Sequence, residues 1–218
     1  MTRIPVVEHI LSANDKIAQE NHYLLQSAGV YAINVMASPG AGKTSLIEET
    51  IKQMRDTYHI AVIEGDIATS IDAERVGALG AESVQINTGG NCHLEAVVIQ
   101  NALNQLPLED VDLLIIENVG NLVCPSHWKL GADKNVLIAS LPEGADKPYK
   151  YPGMYRGVDA LVINKIDLHP YLDFDMDYFK RGVEILNEGV DLFEVSCRTG
   201  EGLASWITWL TNQVIAKN

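Results

Sequence analysis

Ala37-Ser38-Pro39-Gly40-Ala41-Gly42-Lys43-Thr44 places glycines, a lysine and a hydroxyl between an apolar run and a helical pattern. Phosphate chemistry needs that combination. Gly40 and Gly42 let the backbone curl so that N–H groups in the stretch from Gly40 through Ala41 and Gly42 to Ser45 face phosphate oxygens. Lys43 then supplies a point charge near the β- and γ-phosphates, and Thr44 a hydroxyl for Mg²⁺. The loop departs from GxxxxGK(S/T) at its first position, which is Ala37. Alanine disfavours positive φ, so the loop is expected to begin differently while keeping its phosphate contacts.

A magnesium-dependent phosphoryl transfer also needs carboxylates at the ends of neighbouring strands. Asp66 follows one apolar run and Glu117 another. Glu117-Asn118-Val119-Gly120 resembles the DxxG element that senses a γ-phosphate, with Glu for Asp and with the N–H of Gly120 free to approach the phosphate. Asp72 has two readings, a ligand that orients Mg²⁺ or the attacking water, and a helix N-cap. No arginine finger stands out. Asn164-Lys165-Ile166-Asp167 closes a further apolar run and matches the guanine-reading NKxD pattern. Asp167 can accept from N1–H and the exocyclic amine of guanine, a donor pair adenine lacks. Asn164 would hold the loop or the base edge, and the Lys165 stem would cover the ring. Ser196-Cys197-Arg198-Thr199-Gly200 resembles the last base-binding element of GTPases, with Cys197 packed beside the base. A GTP-hydrolysing enzyme is the expectation.

The other two cysteines admit two chemistries. Cys92 and His93 follow the flexible Thr88-Gly89-Gly90-Asn91 stretch, and Cys124 lies shortly after Gly120. Thiolates and imidazole suit Ni²⁺ or Zn²⁺. Contiguous Cys92 and His93 are not expected to bind one ion at relaxed geometry, so a single chain offers an incomplete shell. Two chains meeting about a two-fold axis would supply four sulfurs, with His93 as a further ligand. On spacing alone, two small buried thiols and a histidine at a helix start account for the same residues.

These residues must be positioned by an α/β fold. Seven apolar runs, Tyr31 to Met36, His59 to Ile63, Ser83 to Ile86, Asp112 to Ile116, Val136 to Leu141, Ala160 to Ile163 and Leu192 to Val195, alternate with helical patterns at 43–55, 72–79, 94–104, 176–187 and 203–216. That order predicts a mostly parallel sheet of about seven strands flanked by helices, a P-loop NTPase fold, with the chemistry at the carboxyl ends of the strands. Residues 31–218 form the expected GTPase domain, and residues 1–30 a helical extension whose apolar stripe, over Val6 to Gln26, packs on it. The 47% hydrophobic and 21% charged composition is that of a globular core needing no staple. A formal charge of −13 opposes nucleic acid or anionic membrane as a partner and suits a protein that handles a cation. With no apolar run of bilayer length and no signal-peptide pattern, a cytoplasmic location is expected.

Taken together, the P-loop, Gly65-Asp66, Asp72-Ala73-Glu74-Arg75, the stretch from Asn87 to Ala96 with its Cys92-His93 pair, Glu117-Asn118-Val119-Gly120-Asn121-Leu122-Val123-Cys124-Pro125 and Asn164-Lys165-Ile166-Asp167 resemble the HypB family of SIMIBI-class GTPases, which help insert nickel into NiFe-hydrogenase. The likeness runs from Tyr31 through nearly the whole remaining chain. It implies a slow GTPase that forms a homodimer with GTP bound and holds Ni²⁺ or Zn²⁺ at Cys92, His93 and Cys124. It also implies work with a HypA-like metallochaperone on a hydrogenase large-subunit precursor, and a Lys150 that reaches the partner subunit's nucleotide. The sequence has neither the cysteine-rich nickel motif nor the histidine-rich tract of some members, so a switch-coupled site is expected without multi-ion storage. UreG, the urease-assembly GTPase, is the rival family, but its Cys-Pro-His motif is absent. A low-turnover GTP-binding assembly switch is the rival of another class. A P-loop kinase is opposed by the guanine-reading tetrad.

Overall fold

The computed structural model describes residues 6–66 and 75–217, with side chains from residue 10 onward. Helix α1 (Val6–Ser27) leads into β1 (Tyr31–Ala37), α2 (Lys43–Met54) and β2 (Ile60–Asp66). After residues 75–77, which are helical, come β3 (Glu82–Asn87), α3 (Ala96–Leu103), β4 (Leu113–Glu117) and β5 (Lys134–Ser140). Two short helices, α4 (Lys147–Lys150) and α5 (Pro152–Arg156), precede β6 (Ala160–Asn164), α6 (Met176–Leu186), β7 (Asp191–Glu194) and α7 (Leu203–Lys217). The strands form one sheet in the order β3-β2-β4-β1-β5-β6-β7, and every neighbouring pair is parallel.

Sheet burial explains why the central strands read as continuous apolar runs. β1, β4 and β6 are buried at every residue, because helices cover both faces of a parallel sheet. Alternation along β1 assigns the faces: Tyr31, Ile33, Val35 and Ala37 join the core beneath α2 and α7, with Leu46, Ile51, Trp206 and Leu210. Ala32 faces the other side, where Leu25 of α1 and Ile99 of α3 pack. Met36 faces a third cluster with Met154 of α5 and Phe179 of α6.

The seven expected strands are all present, and β2 continues past Ile63 to include Asp66. The helical pattern expected at 72–79 falls partly outside the described residues. α4 and α5 were not foreseen, because each is too short to show a helical period. Among the described residues no helix is long and apolar enough to cross a membrane. β1 stands where the winding reverses, with β4 and β2 on one side and β5 and β6 on the other. The crevice beyond the carboxyl ends of such strands is where this architecture places its ligands.

Trp206 is 1% exposed and donates its indole N–H to Thr50 Oγ1 at 2.9 Å, tying α7 to α2 behind the phosphate loop. Trp206→Ala is expected to lower unfolding free energy by about 3–5 kcal/mol, a loss of burial plus a cavity. Urea denaturation followed by circular dichroism measures it.

Candidate functional site

β1 delivers the chain into the loop at Ser38, and α2 leaves it at Lys43. Gly40 and Gly42 both have positive φ, 77° and 104°, and Gly42 caps α2 in the left-handed conformation. A second constraint falls on Gly42: a Cβ there would stand 2.3 Å from Asn164 Nδ2. Asn164 occupies that space because it donates to the Ala41 carbonyl at 2.9 Å, while its Oδ1 accepts from Lys165 N–H at 2.7 Å and Cys197 N–H at 3.3 Å. One buried amide thus joins the phosphate loop to the tetrad and to the loop after β7. Lys165, the one non-glycine residue with positive φ among those described, reaches the Gly40 carbonyl at 2.6 Å. Asp167 Oδ1 accepts from Ser196 Oγ at 2.7 Å. Ser45, Asn164, Lys165, Asp167 and Cys197 line one cavity of about 320 Å³.

A larger cleft of about 500 Å³ opens next to it, lined by Gly40, Lys43, Thr44, Asp66, Glu117 and Gly120 among others. Thr44 Oγ1 donates to Glu117 Oε1 at 3.0 Å, and Glu117 is 6% exposed, so the hydroxyl and the carboxylate converge at the mouth of α2. Gly120 lies against the phosphate loop. A Cβ on it would sit 3.1 Å from Pro39 and 3.3 Å from Lys43 Nζ. Arg75 also lines this cleft, its Nε 2.8 Å from Glu48, although sequence reading gave it no role. Asp72 lies outside the described residues. Lys150 lines neither cavity; it is exposed on α4 and paired with Asp146.

The sulfur donors do come together. Cys92 Sγ lies 2.8 Å from Cys124 Sγ and 3.7 Å from His93 Nδ1, and one donor atom from each of the three residues falls within 4.8 Å of the others. The three donors converge although Cys92 and His93 are contiguous, which was not expected at relaxed geometry. The chain turns between them so that both side chains face Cys124. Donors about 2.0–2.3 Å from a tetrahedral ion stand roughly 3.3–3.8 Å from one another, so small adjustments of these three would fit one ion. The His93 ring stacks on Trp128 at 4.4 Å. Burial holds the imidazole below its ordinary pKa, with Glu95 opposing, which favours the neutral ligating form. Cys124 is pushed up, first by its hydrogen bond with Cys92 and then by burial.

Two asparagines that sequence reading left unused connect this centre to the nucleotide cleft. Asn121 N–H donates to the Ala37 carbonyl at 2.8 Å, and its Oδ1 accepts from the N–H groups of Val123 at 2.7 Å and Cys124 at 3.3 Å. Asn118, fully buried, accepts from Leu94 N–H at 3.3 Å and donates to Asn34 Oδ1 at 3.1 Å. Asn34 in turn donates to Asn135 Oδ1 at 2.9 Å. The only sequence signal for them was two asparagines inside a glycine-containing switch segment.

Residues 31–194 match the family model described as CobW/HypB/UreG, nucleotide-binding domain. The hydrogenase maturation factor HypB of Rhizobium leguminosarum bv. viciae is 45% identical over 207 residues, covering 95% of this chain and 69% of that protein. The chain belongs to the HypB family. The crystal structure of HypB from Helicobacter pylori in complex with nickel superposes with a TM-score of 0.89 at 38% identity, over 94% of this chain and 96% of that one. The hydrogenase maturation factor HypB of Archaeoglobus fulgidus gives 0.88 at 36% identity, over 93% and 99%. The HypB fold, with its all-parallel sheet and P-loop, is therefore the fold of this chain.

Within this HypB-family pocket Cys197 is distinct from the other two cysteines. Burial, reinforced by the negative charge of Glu49, pushes its thiol up to about 11. At pH 8 about one molecule in a thousand then carries the thiolate, so alkylation is expected to run roughly a hundredfold slower than at a free cysteine. The rate should climb with pH towards 11. Mass spectrometry of iodoacetamide-treated protein reads this, and rapid labelling of Cys197 at pH 8 would contradict the burial that raises its pKa.

Proposed function

We propose that this chain is a GTP-hydrolysing metallochaperone that delivers nickel during NiFe-hydrogenase maturation, through nucleotide-dependent dimerisation and the Cys92/His93/Cys124 centre. One observation carries the reading: Glu117 ends β4, and the segment that follows it carries both Gly120 and Cys124 and is pinned to the start of the phosphate loop through Asn121. The hydrogenase role is supported by the maturation factor that the chain resembles over 95% of its length, and nickel by the metal in the Helicobacter pylori structure.

In this reading the N–H groups from Gly40 to Ser45 and the Lys43 ammonium hold the β- and γ-phosphates. When bound, Mg²⁺ would supply the charge neutralisation that phosphoryl transfer requires. Thr44 and Glu117, with Asp66 and Asp72, are its candidate ligands. Gly120 N–H faces the γ-phosphate. Asp167 reads guanine while Ser196 fixes the orientation of its carboxylate, and Asn164, Lys165 and the Cys197 segment shape the base cavity. Loss of the γ-phosphate releases the Gly120 contact and relaxes the segment that carries Cys124, so cargo affinity follows nucleotide state. Ni²⁺ is the cargo, and the same borderline-soft donors accept Zn²⁺. The GTP-bound homodimer gives Lys150 a route to the partner subunit's nucleotide. A HypA-like metallochaperone and a hydrogenase large-subunit precursor are the proposed protein partners. The contiguous Cys92-His93 pair and the HypB relatives disfavour a urease-type reading.

Single-turnover assays with protein in excess of radiolabelled GTP test the enzyme. Magnesium-dependent phosphate release is expected, slowed at least about a hundredfold, some 2.7 kcal/mol of barrier, in Lys43→Ala and Glu117→Gln. GTP that stays bound and intact would instead indicate a binding switch without turnover. For the base, Asp167→Asn is expected to weaken GTP at least about a hundredfold and to favour xanthosine triphosphate, whose C2 carbonyl can accept from the amide. Competition against a fluorescent nucleotide measures both affinities, and unchanged GTP binding would remove Asp167 from the base site.

A further inference from the structure

α1 touches both segments that carry the metal donors, and these contacts are polar and buried. Asn14, 7% exposed, accepts from Ala96 N–H at 2.7 Å and donates to the Lys129 carbonyl at 2.8 Å. Asn21, 1% exposed and two helical turns further on, donates to the Ala96 carbonyl at 2.8 Å and to the Leu130 carbonyl at 3.0 Å. Ala96 starts α3, just beyond Cys92 and His93, whereas Lys129 and Leu130 follow the single turn Cys124–His127. Each asparagine therefore bridges one donor-bearing segment to the other. The seat is tight, since a Cβ on Gly131 would stand 2.7 Å from the Ala18 carbonyl and from Asn21 Cβ. A helix that needed only to adhere would use apolar side chains. Burying two amides, one of which leaves Asn21 Oδ1 without a hydrogen bond, carries a desolvation cost that adhesion does not require.

We propose that Asn14 and Asn21 are positioning residues of the Cys92/His93/Cys124 centre, and that α1 sets the donor spacing independently of the nucleotide. The inference rests on the metal-site reading above. Asn118 and Asn121 hold the donor segments from the nucleotide side, and α1 holds them from the other. Releasing either bridge lets the two segments separate and lowers the local concentration of Cys124 at Cys92.

The full chain is compared with Asn14→Ala, Asn21→Ala and Asn14→Asp, the last keeping the acceptor for Ala96 N–H and losing the donor to Lys129. Three quantities are measured: Ni²⁺ affinity by chelator competition, GDP affinity, and the Cys92–Cys124 disulfide equilibrium of the metal-free protein in a glutathione buffer. In that equilibrium one glutathione disulfide is reduced to two thiols as the protein pair is oxidised. Both alanine variants are expected to weaken Ni²⁺ about tenfold or more, the scale on which metal sites respond to loss of an outer partner. The effective concentration of the thiol pair should fall in parallel, GDP affinity should stay within about twofold of the full chain, and Asn14→Asp should fall between. Parallel loss of GDP affinity, which means general loosening, overturns the proposal, and so do unchanged Ni²⁺ and thiol values. If the unaltered chain binds no Ni²⁺, or binds it equally well with Cys92→Ser and Cys124→Ser, the metal-site reading itself fails. The thiol equilibrium alone then decides whether α1 positions the two segments.

Discussion

The hydrogen bond from Asn121 N–H to the Ala37 carbonyl, 2.8 Å long, fixes how the rest of the carboxyl edge is arranged. Ala37 ends β1 and begins the phosphate loop, so the bond ties the segment after β4 to the segment that would hold phosphate. On one side of it stand Glu117, against Thr44, and Gly120, against Lys43. On the other stands Cys124, whose N–H is held by the Asn121 side chain. Gly120 and Cys124 thus lie on one short segment anchored to the phosphate loop at Asn121. The same economy operates at the base site, where Asn164 spans the phosphate loop, the tetrad and the loop after β7.

A chain of amides, two of them buried, supports this edge from beneath. Asn135, Asn34 and Asn118 cross three adjacent strands or their ends and finish on Leu94 N–H, next to His93. Interior amides are costly unless their groups are paired, and a paired network specifies one arrangement of its members more sharply than apolar packing does. Asn14 and Asn21 apply the same device from α1. The Cys92/His93/Cys124 trio is thus flanked by directional contacts as well as by apolar packing of Leu94 and Leu130.

Much of the architecture was legible because a parallel sheet buried on both faces writes its central strands as uninterrupted apolar runs. β1, β4 and β6 were evident for that reason. The phosphate loop and the tetrad were legible because their chemistry is local and their glycines and carboxylate have fixed spacing. The asparagines were not. Asn34 in an apolar strand and Asn14 and Asn21 in an amphipathic helix look like ordinary polar interruptions, and their partners lie far away in sequence. The convergence of Cys92 and His93 with Cys124 was not legible for a related reason: spacing alone does not show the local turn that brings adjacent side chains together. α4 and α5 lack the length for a period, and Lys150 gives no hint within one chain of what it would contact.

The most direct test of the central claim is the Ni²⁺ dissociation constant of the Cys92/His93/Cys124 centre with GDP bound and with a non-hydrolysable GTP analogue bound, in matched buffers with Mg²⁺. Coupling through the Asn121 segment predicts constants that differ at least about fivefold between the two nucleotides, the lower end of ordinary allosteric coupling, with the difference abolished in Asn121→Ala. Equal constants in the two states, at a site shown by Cys124→Ser to be the right one, would contradict the account and leave a GTPase and a metal site that merely share a loop.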